Sequence, residues 1–237
     1  FSDAEIEIRR GEKVALVGRN GEGKTTLMRV IMKELDPMDG EAKIGHNVNI
    51  GYYAQNQEDI LDKQDTVFGT LDRIAVGDIR LKLRDILAAF LFKGEDIDKK
   101  VAVLSGGERA RLAMAKLMLK PYNLLALDEP TNHLDIESIQ WLENFLRSYY
   151  GAVILVSHDR TFLDNITTRT IEITAGKIYD YKTNYSEYVK LHAERMEQQQ
   201  SRLNNQQKQI AQTEKFIERF RYKATKSKQV QSRIKLL

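Results

Sequence analysis

The run Gly18-Arg19-Asn20-Gly21-Glu22-Gly23-Lys24-Thr25 constrains this chain more than any other segment. It fits G-x-x-x-x-G-K-[ST], and its context fits too: an apolar stretch, Lys13 to Val17, leads in, and a helical stretch, Lys24 to Lys33, leads out. Glycines let backbone N–H groups approach phosphate oxygens, and the following helix N-terminus adds a favourable dipole. Gly18, Asn20, Gly21, Gly23, Lys24, Thr25 and Thr26 are therefore the candidate ATP-phosphate residues. Lys24 is expected on the β- and γ-phosphates, with the Thr25 hydroxyl on Mg²⁺. Glu22 sets an anion inside this loop and is expected to point outward.

Further apolar strands alternate with helices. Leu124 to Leu127 and Ala152 to Val156 are fully apolar, as strands covered on both faces must be. Ala4 to Ile8, Lys43-Ile44 and Val48 to Ala54 also read as strands, and Ile171 to Ile173 with Lys177 to Tyr181 read as a hairpin around Ala175-Gly176. Helices are predicted over Asp78 to Phe92, Gly106 to Leu119 and Ile136 to Leu146. The pattern gives an α/β domain with a mostly parallel sheet over residues 1–184, its helical subdomain at about residues 56–120.

Two more motifs complete a constellation. Leu104-Ser105-Gly106-Gly107-Glu108 is a second glycine-rich loop that opens a helix, and so a second phosphate clamp. One chain cannot wrap both loops around one ATP, so the nucleotide is expected between two such domains. The apolar run Leu124 to Leu127 ends in Asp128-Glu129, carrying both carboxylates to the ligand-binding edge of an open sheet. Asp128 is the candidate Mg²⁺ partner and Glu129 the general base. His158 ends the next buried strand and is a candidate contact to the γ-phosphate and the attacking water.

Bulk properties narrow the class. The chain has 237 residues and no cysteine, which excludes a disulfide framework and points to a reducing compartment such as the cytoplasm. No apolar run approaches the length of a membrane span. The net charge of +3 is uneven: residues 1–184 hold 25 Lys+Arg against 29 Asp+Glu, and residues 185–237 hold 12 against 5. A basic arm of that kind favours a polyanionic partner. The arm lacks Gly and Pro, and Val189, Met196, Leu203, Ile210 and Ile217 recur every seven residues, the coiled-coil period. Val230, Ile234 and Leu237 could begin a return helix. Between them lies a tip with Arg219, Arg221, Lys223, Lys226 and Lys228, the candidate RNA-binding residues.

The order P-loop, LSGGE, apolar-DE, His resembles the ATP-binding cassette (ABC) family over roughly the first three quarters of the chain. The resemblance implies a P-loop NTPase cassette with antiparallel edge strands. It makes Gln55 a water- or Mg²⁺-contacting residue, and Ser105, Gly106, Gly107 and Glu108 the signature facing the other cassette's ATP. Asp135 would lie at the same junction. The run Asp128-Glu129-Pro130-Thr131-Asn132-His133-Leu134-Asp135 is similar to the ABC-F branch, soluble proteins with two cassettes that act on the ribosome. In that branch a helical coiled-coil hairpin follows the first cassette and its basic tip reaches toward tRNA; Phe216 to Leu237 resembles it. The implied cofactors are ATP and Mg²⁺, and the implied partners a second cassette, the ribosome and tRNA. The chain opens at Phe1, without a confident adenine-stacking aromatic, and reads as a fragment with one cassette. The competing readings are the ATPase subunit of a transporter and a non-hydrolysing, ATP-gated interaction module.

Overall fold

The computed structural model describes residues 5–54, 60–132, 134–220 and 231–232. The chain divides into two compact units, Phe1–Ser186 and Glu187–Leu237.

The first unit is built on a six-stranded sheet. Its strands are β1 (Lys13–Val17), β2 (Ile50–Tyr53), β3 (Leu124–Asp128), β4 (Ala152–Val156), β5 (Arg169–Thr174) and β6 (Lys177–Tyr181), in the spatial order β2-β3-β4-β1-β5-β6. All pairings are parallel except the β5–β6 hairpin at one edge. The α/β class with a mostly parallel sheet, read from the sequence, is therefore borne out.

The period-two geometry of a strand splits the apolar residues between two faces. Val14, Leu16, Ala126, Ile154 and Val156 pack with Leu27 and Met28 of α1 (Lys24–Ile31) on one face. Ala15, Leu125, Leu127, Val153 and Leu155 face the other core. That core is covered by α5 (Gly106–Leu117), α6 (Ile136–Ser148) and α7 (Arg160–Ile166). Coverage on both sides explains why β4 and the first four residues of β3 are uninterrupted apolar runs.

Between β2 and β3 lie α2 (Val67–Asp72), α3 (Asp78–Leu81), α4 (Leu83–Ala89), two 3-10 turns at 94–98 and 101–103, and α5. A row of rings joins α4 to α6: Phe90 and Trp141 have centroids 5.0 Å apart, Trp141 and Phe145 5.5 Å, and Phe145 and Tyr149 6.1 Å. The Trp141 indole N–H donates to the Ala89 carbonyl at 3.2 Å.

Several elements differ from the sequence reading. The predicted helix over Asp78 to Phe92 is two helices, because Lys82 leaves helical geometry at φ −100°, ψ 4°. The break puts Leu83 and Leu87 in the core and leaves Leu81 86% exposed. Glu5 to Arg9 alternates but joins no strand: Ile6 and Ile8 pack on the α1-side core, and the chain turns where Glu12 N–H donates to the Arg9 carbonyl at 3.1 Å. Lys43-Ile44 is not a strand, and the stretch Val48 to Ala54 contracts to β2. Helices α2 and α7 are additions; each starts at a capping side chain, Thr66 accepting from Gly69 N–H and Asp159 from Phe162 N–H.

The last helix, α8, runs Tyr185–Phe220. Its start is fixed within the first unit by Ser186 N–H donating to Asp164 Oδ1 at 2.8 Å. Along α8, the seven-residue positions Val189, Met196, Leu203 and Ile210 are about half-exposed. The return of the expected hairpin lies outside the described residues, except Gln231-Ser232, which are helical. No helix among the described residues is long and apolar enough to cross a membrane.

Candidate functional site

Parallel strands deliver their carboxyl ends to one side of the sheet, and three of them carry the chemistry. The phosphate loop follows β1, Asp128 ends β3, and Ser157-His158 follows β4. Register sets the last two level, since Asp128 pairs with Val156.

The loop is shaped by close contacts. A Cβ on Gly18 would come 2.5 Å from the Ile173 carbonyl of β5, so no larger residue fits without displacing that strand. Gly23 caps α1 at φ 96°. Lys24 Nζ donates to the carbonyls of Gly18 at 2.8 Å and Arg19 at 3.2 Å, which holds the ammonium across the loop. Glu22 turns to the β5–β6 turn, where its carboxylate accepts from Ala175 N–H at 2.9 Å.

Thr25 Oγ1 donates to Asp128 Oδ2 at 3.2 Å, linking α1 to β3. Asp128 is only 6% exposed, and burial pushes its carboxyl above the usual range despite hydrogen bonds from Thr25 and Tyr52 and the charge of Lys24. Glu129, beside it, sits at φ 51° with its N–H donated to the Val156 carbonyl at 2.8 Å. This strained backbone turns the side chain toward β4, where His158 N–H donates to Oε2 at 3.1 Å. Burial raises the Glu129 carboxyl as well, opposed by that N–H and the His158 charge. Two adjoining buried carboxylates and a threonine hydroxyl are hard oxygen donors, and they fit an ion such as Mg²⁺, which takes one or two carboxylates and keeps waters and phosphate oxygens.

The second glycine loop forms a separate cluster. Ser105 caps α5 reciprocally: its Oγ accepts from Glu108 N–H at 3.2 Å, and Glu108 Oε2 accepts from Ser105 N–H at 2.7 Å. Asp135 caps α6 by accepting from Ser138 N–H at 2.7 Å, and hydrogen bonding by the Ser138 hydroxyl, then by that N–H, holds its carboxyl below the ordinary value. The two caps touch at Gly107, where a Cβ would meet Ser138 Oγ at 2.5 Å and Asp135 Oδ2 at 3.2 Å. Arg111, one turn along α5, donates to Ser138 Oγ at 2.6 Å.

Thus Lys24, Thr25, Asp128, Glu129 and His158 converge, while Ser105 to Glu108 gather with Asp135. Gln55, Arg221, Lys223, Lys226 and Lys228 lie outside the described residues; Arg219 is exposed near the end of α8. Sequence reasoning missed Tyr52, Arg111 and Ser138. The Tyr52 hydroxyl lies 3.5 Å from Asp128 Oδ2, and its pKa is pushed up to about 12 by burial and then by that charge. Ser138 stood three residues beyond Asp135, the spacing of a helix cap, and could have been read.

This sheet, with a phosphate loop after β1, paired carboxylates after β3 and a second loop opening α5, defines an ATP-binding cassette. The chain belongs to the ABC transporter family, whose description matches residues 1–132; a second family, also described as ABC transporter, matches residues 171–237. Its relatives place it in the ABC-F type. It is 46% identical to ABC transporter F family member 2 of Arabidopsis thaliana, over 82% of this chain and 29% of that protein. It is 36% identical to the probable ATP-binding protein YheS of Escherichia coli (strain K12), over 100% of this chain and 42% of that protein. The chain thus spans less than half the length of these relatives. Among solved structures, the fold is similar to the ATP-binding cassette MJ0796, a dimer in a post-hydrolysis state bound to ADP and Pi. The TM-score is 0.59 at 22% identity, covering 75% of this chain and 88% of that one.

Proposed function

We propose that this chain is the ATP-binding and ATP-hydrolysing cassette of a two-cassette ABC-F protein, and that ATP-driven closure on a second cassette is coupled to ribosome and tRNA binding. The observation that carries this reading is the convergence of the Lys24 loop, the Thr25–Asp128 contact and the Glu129–His158 pair at the carboxyl ends of β1, β3 and β4.

Backbone N–H groups of Gly21 to Thr26 and the Lys24 ammonium bind the β- and γ-phosphates. Thr25 and Asp128 would hold Mg²⁺, with Gln55 as a further contact. When bound, the ion would neutralise charge on the phosphate oxygens. Glu129 takes the proton of a water that attacks the γ-phosphorus in line. The new P–O bond forms as the bond to the β–γ bridging oxygen breaks, and ADP leaves with that electron pair. A carboxylate made more basic by burial suits this role. His158 steadies the carboxylate and contacts the γ-phosphate. Ser105, Gly106 and Gly107 at the start of α5 clamp the γ-phosphate held by the other cassette, with the Asp135 cap of α6 packed close against Gly107.

The branch-specific part rests on the ABC-F relatives and on the excess of Lys and Arg in residues 185–237. The test is retention of the Glu129→Gln chain on ribosomes with ATP and with ADP. ATP-dependent co-sedimentation is the expected result. Binding to a membrane protein without ribosome retention would turn the reading to a transporter's ATPase subunit.

A further inference from the structure

We infer that Glu22 is a positioning residue that latches the phosphate loop to the β5–β6 hairpin; this rests on reading that loop as a nucleotide site. An anionic side chain inside a phosphate loop opposes the ligand unless something holds it elsewhere. Here the carboxylate is held by the N–H of Ala175, 153 residues further along the chain, at 2.9 Å. The turn makes that donor available. Thr174 pairs with Lys177, leaving Ala175 and Gly176 as a two-residue connection, both at positive φ, 49° and 73°. Such turns leave the N–H of the first central residue outside the strand ladder. Ala175 is exposed, so the Glu22 carboxylate is its protein partner in place of solvent.

A second contact acts in the same direction. Gly18 lies against β5 so closely that a Cβ would reach the Ile173 carbonyl at 2.5 Å. Gly18 at the start of the phosphate loop and Glu22 within it thus both meet one hairpin, and Lys24, further along the loop, reaches back to the carbonyls of Gly18 and Arg19. An alanine strained at φ 49° is a poor choice for a free turn, and the bond that its N–H donates to Glu22 offsets part of that strain. The latch pre-forms the loop, so that binding ATP need not order it.

Two substitutions separate the latch from the charge. Glu22→Gln keeps an oxygen that accepts from Ala175 N–H and removes the anion; Glu22→Ala removes both. ATP affinity of the whole chain is measured by titration calorimetry with Mg²⁺. The Gln variant is expected to bind as tightly as the wild type or more tightly, and the Ala variant about 3- to 10-fold more weakly than the Gln variant. Amide hydrogen exchange of the nucleotide-free chain gives a readout that needs no ligand: Ala175 is expected to exchange several-fold faster in Glu22→Ala and unchanged in Glu22→Gln. Equal affinity of the two variants, or unchanged exchange at Ala175 in the Ala variant, overturns the latch. A wild-type chain that binds no ATP overturns the nucleotide-site reading and the positioning role with it, whereas the exchange result alone reports whether the latch exists.

Discussion

His158 holds Glu129 at both carboxylate oxygens: its backbone N–H donates to Oε2 at 3.1 Å, and its Nε2 lies 3.4 Å from Oε1. The contact joins the residue after β3 to the residue two beyond β4. It fixes the orientation of a side chain whose own backbone sits at positive φ. Glutamine can keep the bond from the His158 N–H, so Glu129→Gln is expected to preserve fold and ATP affinity while slowing hydrolysis about 10²- to 10⁴-fold. Single-turnover phosphate release in the presence of the partner cassette measures this. A hydrolysis rate equal to wild type would remove Glu129 from the role of base.

Gly107→Ala tests the junction between the signature helix and α6. The new methyl group would sit 2.5 Å from Ser138 Oγ, the acceptor of the Arg111 bond, so Ser138 or α5 must move. Overpacking of this kind costs about 1–3 kcal/mol. A lower Tm by calorimetry and loss of ATP-dependent pairing in size-exclusion chromatography are expected. An unchanged Tm would show that the two caps do not press on each other.

Lys13 opens β1 and is only 8% exposed, yet its ammonium donates to the carbonyls of Tyr149 and Gly151, each at 2.6 Å. It ties the strand that feeds the phosphate loop to the segment linking α6 and β4. Lys13→Met keeps the aliphatic stem and leaves two carbonyls without this donor. Denaturant unfolding is expected to show a loss of about 2–3 kcal/mol. A loss below about 0.5 kcal/mol would mean that water replaces the ammonium freely.

Replacing Arg219, Arg221, Lys223, Lys226 and Lys228 by Gln tests the basic tip. Each phosphate contact removed is expected to lower the slope of log affinity against log salt by about 0.7–0.9 for tRNA or ribosomal RNA. Filter binding across a salt series measures it, with ATP binding by the cassette as the control. A slope equal to wild type would separate the tip from nucleic acid.

Much of this arrangement was legible because its signals are local. Lys24 and Thr25 follow from the glycine spacing, and Asp128 from the apolar run that carries it to a strand end. The apolar runs Leu124 to Leu127 and Ala152 to Val156 announced strands buried on both faces. What stayed hidden depends on contacts between distant residues or on competing local signals. Ile6 and Ile8 alternate like a strand, yet they pack on the α1-side core without joining the sheet. The apolar period from Ile79 to Phe90 runs straight through Lys82, where the backbone breaks. Tyr52 reaches Asp128 only because β2 pairs with β3 in a register that places Tyr52 opposite Ala126. The Glu22–Ala175 bond joins two turns that no spacing rule relates.

A loop from Gly18 to Thr25 that binds the phosphates of ATP through Lys24 must lose affinity when that ammonium is removed. Titration calorimetry of MgATP into the chain and into Lys24→Ala measures this loss. Lys24 is the lysine that spans this loop, and its loss removes a charge-assisted contact to phosphate, so affinity is expected to fall at least about 10-fold. Equal ATP affinity in the two chains would mean that this loop does not hold the phosphates through Lys24.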